Sequence, residues 1–210
     1  MDLELKGKTV FITGSTAGIG FATAKALLNE GASVILNGRT SASVEAAIKR
    51  LEQMFPNGTI TGIATDFSML GEVSNLLENL PKIDVLINNV GVYSSGSFFE
   101  TEDAEWYRQF EVNVMSGVRL SKSMLPRMLA NDWGRILFIS SECASLTPPD
   151  LIAYSMTKAA ILAVSRGLAQ LTKGTNVTVN SVIPGSTLSE GAEQFLEDAA
   201  QKEQKTKDEI

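Results

Sequence analysis

The chain has 210 residues and a formal net charge of −6, with 44% hydrophobic and 20% charged residues. This balance is that of a globular protein, and a negative charge without a cluster of Lys and Arg argues against nucleic acid or an anionic membrane as a partner. The absence of histidine and the single cysteine, Cys143, exclude an internal disulfide and the usual zinc and haem ligand sets, so no metal site is predicted.

Hydropathy and the amino terminus bear on location. No apolar run approaches the roughly 20 residues that span a bilayer, and no basic segment with a small-residue cleavage site opens the chain. We therefore expect a cytoplasmic protein. The length suits one domain, and no repeat or linker divides it, so we expect a single domain over residues 1–210.

Short apolar segments alternate with longer segments of helical periodicity along the chain. The apolar segments lack polar alternation, which is typical of parallel strands covered by helices on both faces. We predict strands at 9–13, 33–37, 59–64, 84–87, 135–140 and 177–183. We predict helices at 19–29, 43–54, 71–80, 103–130 and 152–171. The predicted fold class is therefore α/β, with a doubly wound parallel sheet.

Three glycines, Gly14, Gly18 and Gly20, lie between the first predicted strand and the first predicted helix, in TGSTAGIG. A β-carbon at such positions would block the tight turn and the approach of the backbone to a pyrophosphate, which the free N–H groups of the helix start would bind. The hydroxyls of Ser15 and Thr16 can add donors. The alternative is a glycine-rich turn that binds no ligand.

The end of the second predicted strand indicates which dinucleotide would bind. An acidic residue there would bind the ribose of NAD, but VILNGRT has Asn37 at the strand end and Arg39 just after it. A guanidinium suits a 2′-phosphate, so NADP is favoured over NAD. The alternative is that Arg39 is only a solvated loop charge.

Tyr154 and Lys158 are candidates for proton transfer, because they stand four apart on one face of a predicted helix. A tyrosine ionises near pH 10 unless a cation stabilises its phenolate, and Lys158 can be that cation. The pair would then serve as a general acid or base. Taken alone, such a pair is more often a plain helix contact.

Three further features strengthen this interpretation. Ser141 follows the fifth predicted strand, at the carboxyl edge where ligands bind such sheets, and its hydroxyl can hold a substrate oxygen. Asn113 interrupts an apolar helical segment, where a water in a proton relay or Lys158 would satisfy its amide. Asn89 and Gly91 follow the fourth strand, where they suit either contact with a ribose or bracing of the sheet.

In this order and spacing, the motifs TGSTAGIG, NNVG, YSMTK and IPGSTLS, with Asn113 and Ser141, resemble the short-chain dehydrogenase/reductase family, close to its 3-oxoacyl-[acyl-carrier-protein] reductase-like members. The resemblance implies a Rossmann fold with strand order 3-2-1-4-5-6. It also implies hydride transfer between NADP(H) and a carbonyl/alcohol substrate, with Tyr154 as general acid/base. Lys158 would lower the pKa of Tyr154, Ser141 would orient the substrate, and Asn113 would hold a relay water.

The same resemblance implies a cofactor site. Asp66 would contact adenine, Pro184 and Gly185 would form the turn that passes the nicotinamide, and Thr187 and Ser189 would reach its carboxamide or the phosphates. The predicted cofactor residues are Gly14, Ser15, Thr16, Gly18, Ile19, Gly20, Arg39, Asp66, Asn89, Gly91, Tyr154, Lys158, Pro184, Gly185 and Thr187.

The carboxyl end departs from the family pattern. Members usually continue through a seventh strand, so the resemblance implies that this strand is missing. Residues 186–210 would then begin a truncated substrate lid, in which Phe195 and Leu196 would close over the pocket. The family's helix interface implies a homodimer or homotetramer. Two alternatives remain: a nucleotide-binding protein with little turnover, and an oligomer that has lost cofactor binding.

Overall fold

A computed structural model describes residues 3–187. Six parallel strands form one sheet in the order β3-β2-β1-β4-β5-β6, which confirms the predicted Rossmann fold and strand order. The strands are β1 Thr9–Ile12, β2 Ser33–Gly38, β3 Ile60–Ala64, β4 Val85–Asn88, β5 Gly134–Ile139 and β6 Val177–Val182. The helices are α1 Gly18–Asn29, α2 Ser41–Met54, α3 Leu70–Asn79, α4 Asp103–Phe110, α5 Ser116–Ala130, α6 Cys143–Leu146 and α7 Ile152–Leu171.

Part of the prediction for the carboxyl end falls outside the described residues. Ser189, Phe195 and Leu196 of the predicted lid belong to that part. Within residues 3–187, no helix is long and apolar enough to cross a membrane.

The central strands are apolar on both faces because helices cover each face of the sheet. Phe11 in β1 and Leu86 in β4 are fully buried in one core cluster. Val10 and Ile12, the neighbours of Phe11 in β1, are fully buried in a second cluster. Successive side chains of a strand point to opposite faces, so the unbroken apolar segments of the sequence follow from two cores.

The helix predicted at 103–130 is interrupted. Between α4 and α5, residues Glu111–Met115 form a π-helical segment, and Asn113 lies in it. Such a segment contains more residues per turn than an α-helix and redirects its side chains, which periodicity does not reveal. The short helix α6 lies where no helix is predicted from the sequence.

The predicted site residues meet at one edge of the sheet. Chain order reverses between β1 and β4, with β2 and β3 on one side and β5 and β6 on the other. At such a switch point the loops diverge and leave a crevice at the carboxyl ends of the strands. The glycine turn follows β1, Asn89 follows β4 and Ser141 follows β5, so all three border this crevice.

Replacement of Gly20 by alanine tests how tightly the glycine turn packs. An added Cβ would lie 2.5 Å from the backbone oxygen of Gly14, 2.7 Å from Asn89 Nδ2 and 2.8 Å from the Cα of Ser15. Two of these atoms are backbone and the third is held by its hydrogen bonds to Thr13 and Gly14, so we expect Gly20→Ala to lower the free energy of unfolding by about 2 to 3 kcal/mol. Urea denaturation measures the change.

Gly167 in α7 is the matched control, since an added Cβ there meets nothing within 4 Å. Gly167→Ala should be neutral or stabilising by roughly 0.5 to 1 kcal/mol, because alanine favours the helix more than glycine does. An equal loss of stability in both variants would contradict the packing argument.

Candidate active site

The glycine-rich loop between β1 and α1 places the start of α1 beside the crevice. Gly14 and Gly18 have φ angles of +60° and +54°, which glycine adopts without strain. Ala17 precedes the first helical residue and offers no side-chain cap. The first N–H groups of α1 therefore suit an external acceptor such as a phosphate.

Two buried or half-buried amide side chains brace this turn. Asn37 Oδ1 accepts a hydrogen bond from the N–H of Gly14 at 3.0 Å, and its Nδ2 donates to the carbonyl of Ile63 at 3.1 Å. Asn89 Nδ2 donates to the carbonyls of Thr13 and Gly14 at 2.9 and 2.8 Å. Of the two roles considered for Asn89, these bonds support bracing.

The Ser15 side chain does not take the position expected from the sequence. Its side chain is fully buried, and Oγ donates to the carbonyl of Ile12 at 2.8 Å. The same hydroxyl accepts from the N–H of Asn37 at 2.9 Å. The prediction that this hydroxyl is a donor for a ligand is wrong, because it points into the protein and stabilises the turn from beneath.

A cavity of about 630 Å³ occupies the crevice beside the glycine turn. The predicted cofactor residues that line it are Gly14, Thr16, Gly18, Ile19, Arg39, Asp66, Asn89 and Gly91. The hydroxyl of Ser68 and then its N–H donate to Asp66 Oδ1, at 2.7 and 2.9 Å, and these bonds lower the pKa of Asp66. Arg39 is exposed and adds a smaller effect in the same direction. Ser15 and Gly20 do not line the cavity.

Arg108 also lines this cavity and was not predicted. Its Nε and Nη2 donate to the two carboxylate oxygens of Glu105, each at 2.7 Å. The hydrogen bond from Arg108 is the largest influence on Glu105 and lowers its pKa to about 2. Sequence reasoning missed Arg108 because no local pattern shows which face of α4 borders the cavity.

A second cavity, of about 270 Å³, adjoins the first. The predicted residues that line it are Ile19, Asn89, Gly91, Ser141, Tyr154, Lys158, Pro184, Gly185 and Thr187. Ile19, Asn89 and Gly91 line both cavities. The structure therefore places the tyrosine–lysine pair next to the crevice that contains the glycine turn.

Tyr154 and Ser141 line the same cavity, and the Ser141 side chain is near enough to influence the Tyr154 hydroxyl. Burial raises the pKa of Tyr154, and the Ser141 side chain acts in the opposite direction with a smaller effect. Burial thus dominates in the polypeptide itself, and the expected effect of Lys158 on this pKa stays a prediction. The centres of the Tyr93 and Tyr154 rings lie 5.7 Å apart, so the Tyr93 ring forms part of the apolar surroundings of Tyr154.

Lys158 is 4% exposed, and burial lowers its pKa to about 8. Its Nζ donates to the carbonyl of Ile139 at 2.9 Å and lies 5.4 Å from the centre of the Tyr154 ring. The hydroxyl of Ser140 donates to the carbonyl of Lys158 at 2.9 Å. Both the backbone and the side chain of Lys158 are thus tied to the end of β5, which holds the ammonium group beside Tyr154.

The partners of Asn113 differ from those expected. Its Oδ1 accepts from the N–H of Val92 at 2.7 Å, and its Nδ2 donates to the carbonyl of Val92 at 2.8 Å and to Thr157 Oγ1 at 3.0 Å. Thr157 Oγ1 in turn donates to the carbonyl of Tyr154 at 2.7 Å. Asn113 therefore joins the loop after β4 to α7. Thr157 was missed because its role depends on contacts between distant segments.

Comparison with known sequences gives the following matches. Residues 8–200 match the family described as short chain dehydrogenase. The uncharacterized oxidoreductase YvrD of Bacillus subtilis (strain 168) is 50% identical over 204 residues, 96% of this chain and 76% of that protein. The 3-oxoacyl-[acyl-carrier-protein] reductase FabG of Haemophilus influenzae is 32% identical over 181 residues, 86% of this chain and 74% of that protein.

Solved structures give similar matches. L-Sorbose reductase from Gluconobacter frateurii, complexed with NADPH and L-sorbose, has a TM-score of 0.89 at 30% identity, over 96% of this chain and 78% of that chain. A 3-oxoacyl (acyl-carrier-protein) reductase from Agrobacterium tumefaciens C58 with NADP bound has a TM-score of 0.86 at 30% identity, over 94% and 77% of the two chains.

Replacement of Lys158 by methionine tests the cost of its buried charge. Below about pH 8, Lys158 is charged in the folded protein although its surroundings disfavour the charge. At pH 7 we expect Lys158→Met to raise the midpoint of thermal unfolding by a few degrees, about 2 to 4 °C for each kcal/mol recovered. Circular dichroism during heating measures this.

The same pKa shift also predicts how the stability difference between the two proteins changes with pH. Between the folded pKa of about 8 and the ordinary value of 10.5, the unfolded chain binds more protons at Lys158 than the folded chain, so wild-type stability rises with pH. The advantage of the variant should therefore shrink from pH 8 to pH 10. An advantage independent of pH would contradict the assignment, and Lys49→Met, at an exposed position of α2, should show no such trend.

Proposed function

We propose that this chain, which belongs to the short chain dehydrogenase family of NAD(P)-dependent oxidoreductases, transfers a hydride between NADP(H) and a carbonyl/alcohol substrate. The observation that carries the proposal is that Ile19, Asn89 and Gly91 line both cavities, which therefore adjoin. A nucleotide bound in the first cavity would extend past these residues into the second. There it would meet Tyr154, whose hydroxyl is the proposed general acid/base.

The first cavity suits the adenine half and the phosphates of a dinucleotide. Its volume of about 630 Å³ is typical of a cofactor site. The backbone of Gly14 and Gly18 and the open first turn of α1 would bind the pyrophosphate. Arg39 would pair with a 2′-phosphate and Asp66 would contact adenine. The two solved relatives with NADP or NADPH bound support this choice of cofactor.

The nicotinamide end would lie in the second cavity. Pro184, Gly185 and Thr187 line it together with Tyr154 and would hold the ring and its carboxamide. When bound there, NADPH supplies the hydride. The chain itself must then orient the substrate and supply the proton.

Tyr154 would donate its proton to the carbonyl oxygen during reduction. Its raised pKa keeps the hydroxyl protonated at neutral pH, which suits a general acid. Ser141 would orient the same oxygen, because its side chain lines the same cavity as the Tyr154 hydroxyl and influences the pKa of that hydroxyl. The ammonium group of Lys158, 5.4 Å from the tyrosine ring, would stabilise the phenolate left behind. In alcohol oxidation the same groups would act in reverse.

Asn113 would serve the proton relay through the space beside Gly91. An added Cβ at Gly91 would lie 3.4 Å from Lys158 Nζ and 3.7 Å from Asn113 Oδ1, so both atoms border this space. Asn113 Oδ1 accepts one hydrogen bond from Val92 and has capacity for a second. We propose that a water beside Gly91 bridges Asn113 to Lys158 and helps to reprotonate Tyr154.

We also propose a homodimer or homotetramer. Aromatic side chains of α4 are open to a partner, since Tyr107 is 72% exposed and Phe110 is 38% exposed. Large exposed aromatic side chains on one helix are typical of an interaction surface.

Tyr154→Phe tests the acid/base assignment, because it removes the hydroxyl and keeps the ring. We expect turnover of a reducible ketone to fall by about 10² to 10⁴-fold, while NADPH binding changes little. Initial rates at 340 nm and quenching of protein fluorescence measure the two. Tyr93→Phe removes a hydroxyl from the same cavity and is the control, which should keep most of its turnover. Activity retained in Tyr154→Phe would overturn the assignment.

Arg39→Ala tests the choice of cofactor. Loss of a charge-assisted pair with the 2′-phosphate should raise the Kd for NADPH about 10- to 100-fold and leave that for NADH nearly unchanged. Titration with each cofactor measures both constants. Lys82→Ala removes one cation just before β4, at the amino ends of the strands, and should change neither constant. A parallel loss of affinity for both cofactors in Arg39→Ala would contradict recognition of the phosphate.

A further inference from the structure

The turn of α7 that contains Tyr154 and Lys158 has two side-chain attachments to the rest of the protein. The hydroxyl of Ser140, at the end of β5, donates to the carbonyl of Lys158 at 2.9 Å. The hydroxyl of Thr157 donates to the carbonyl of Tyr154 at 2.7 Å and accepts from Asn113 Nδ2 at 3.0 Å. The first attachment thus holds the lysine of the pair, and the second holds the tyrosine.

The bond between Asn113 and Thr157 lies in the protein interior. Thr157 is fully buried, and Asn113 is 5% exposed. Water does not replace a partner lost at such a position, so a buried donor left unpaired costs more than the hydrogen bond contributes. The folded protein therefore favours one arrangement of these two side chains.

The helix itself does not need the hydroxyl of Thr157. A threonine inside a helix that bonds back to a carbonyl of the preceding turn does not stabilise the helix, and its branched Cβ lowers helix propensity. Thr157 is nevertheless the sixth of the 20 residues of α7. The contact with Asn113, which belongs to a different segment, gives this side chain a role outside the helix.

Asn113 extends the network to the loop after β4. Its Oδ1 accepts from the N–H of Val92 at 2.7 Å, and its Nδ2 also donates to the carbonyl of Val92 at 2.8 Å. The next residue, Tyr93, lines the second cavity, with its ring centre 5.7 Å from that of Tyr154. One network of hydrogen bonds therefore links the backbone beside Tyr93 to the backbone of Tyr154.

We infer that Thr157 is a positioning residue for proton transfer: its hydroxyl fixes the turn of α7 from which the Tyr154 hydroxyl would reach the substrate. This inference rests on the proposed function, and Thr157 itself lines neither cavity. A general acid must lie within about 2.6 to 3.2 Å of the atom that it protonates. A displacement of about 1 Å can cost roughly 10²-fold in rate, so loss of this attachment should slow proton transfer more than it weakens cofactor binding.

Thr157→Val removes the hydroxyl and keeps the shape of the side chain, whereas Thr157→Ser keeps the hydroxyl. With ethyl acetoacetate and NADPH, we expect kcat to fall at least about tenfold in Thr157→Val and less than about threefold in Thr157→Ser. The Kd for NADPH should change little in either variant. Each kcat is divided by the fraction of protein that binds NADPH, which removes the effect of unfolded protein. If Thr157→Val does not fold, Thr157→Ala also lacks the hydroxyl and carries the same prediction.

Thr172 provides a matched control at the other end of α7. It is buried, and its hydroxyl bonds back to the carbonyl of Ala169 at 3.1 Å, as that of Thr157 does to Tyr154. Thr172→Val should therefore leave kcat unchanged. The solvent deuterium isotope effect on kcat should be larger in Thr157→Val than in wild type, because displaced proton donation becomes slower relative to the other steps. A plain loss of folded protein would not change this ratio.

Binding of ethyl acetoacetate to the NADP⁺-loaded protein, measured by calorimetry, gives a readout without turnover. The Tyr154 hydroxyl would donate to the bound carbonyl, so Thr157→Val should raise this Kd about three- to tenfold and Thr157→Ser should not. That change in a protein without turnover would remove the proposed reaction but support the inference. Turnover with the same kcat in wild type and Thr157→Val, or with an equal loss in Thr157→Ser, would overturn the inference and leave the reaction intact. An unchanged isotope effect would also overturn it.

Discussion

The Lys158 ammonium lies buried between α7 and the end of β5, where it donates to the carbonyl of Ile139. A buried charge is costly, and here burial lowers the pKa of Lys158 to about 8. The rest of the site is arranged around this group. Ser140 ties its backbone to β5, and Tyr154 lies one turn earlier on the same face of α7. A cation thus faces the tyrosine at a cost in folding stability, a compromise common at functional sites.

Polar side chains also determine the shape of the nucleotide crevice. Asn37 and Asn89 hold the turn after β1 from the neighbouring strands β2 and β4, and Ser15 supports it from the interior. Asn113 and Thr157 do the same for the loop after β4 and for α7. Two cavities with common lining residues result. Under the proposed function, this arrangement would let a chain without histidine combine a nucleotide site with a proton-transfer group.

The sequence predicted the strands to within one residue at each end, because unbroken apolar segments between helical segments have few other solutions. It also predicted that Tyr154, Lys158 and Ser141 lie close together, and the three residues line one cavity. It could not predict the inward turn of Ser15, the π-helical segment at Asn113 or the lining by Arg108. Each of these depends on contacts between segments far apart in the chain, such as that of Asn113 with Thr157. A local sequence pattern does not predict such contacts.

Transfer of deuterium from NADPH that carries deuterium at both C4 positions of the nicotinamide tests the central claim most directly. The proposed reaction predicts that a ketone is reduced to an alcohol with deuterium on the carbinol carbon, and that product formed from unlabelled NADPH in D₂O has none on that carbon. Mass spectrometry of the product distinguishes the two cases. An alcohol without deuterium on the carbinol carbon from deuterated NADPH, or with deuterium there from solvent, would contradict direct hydride transfer from the nicotinamide to the substrate.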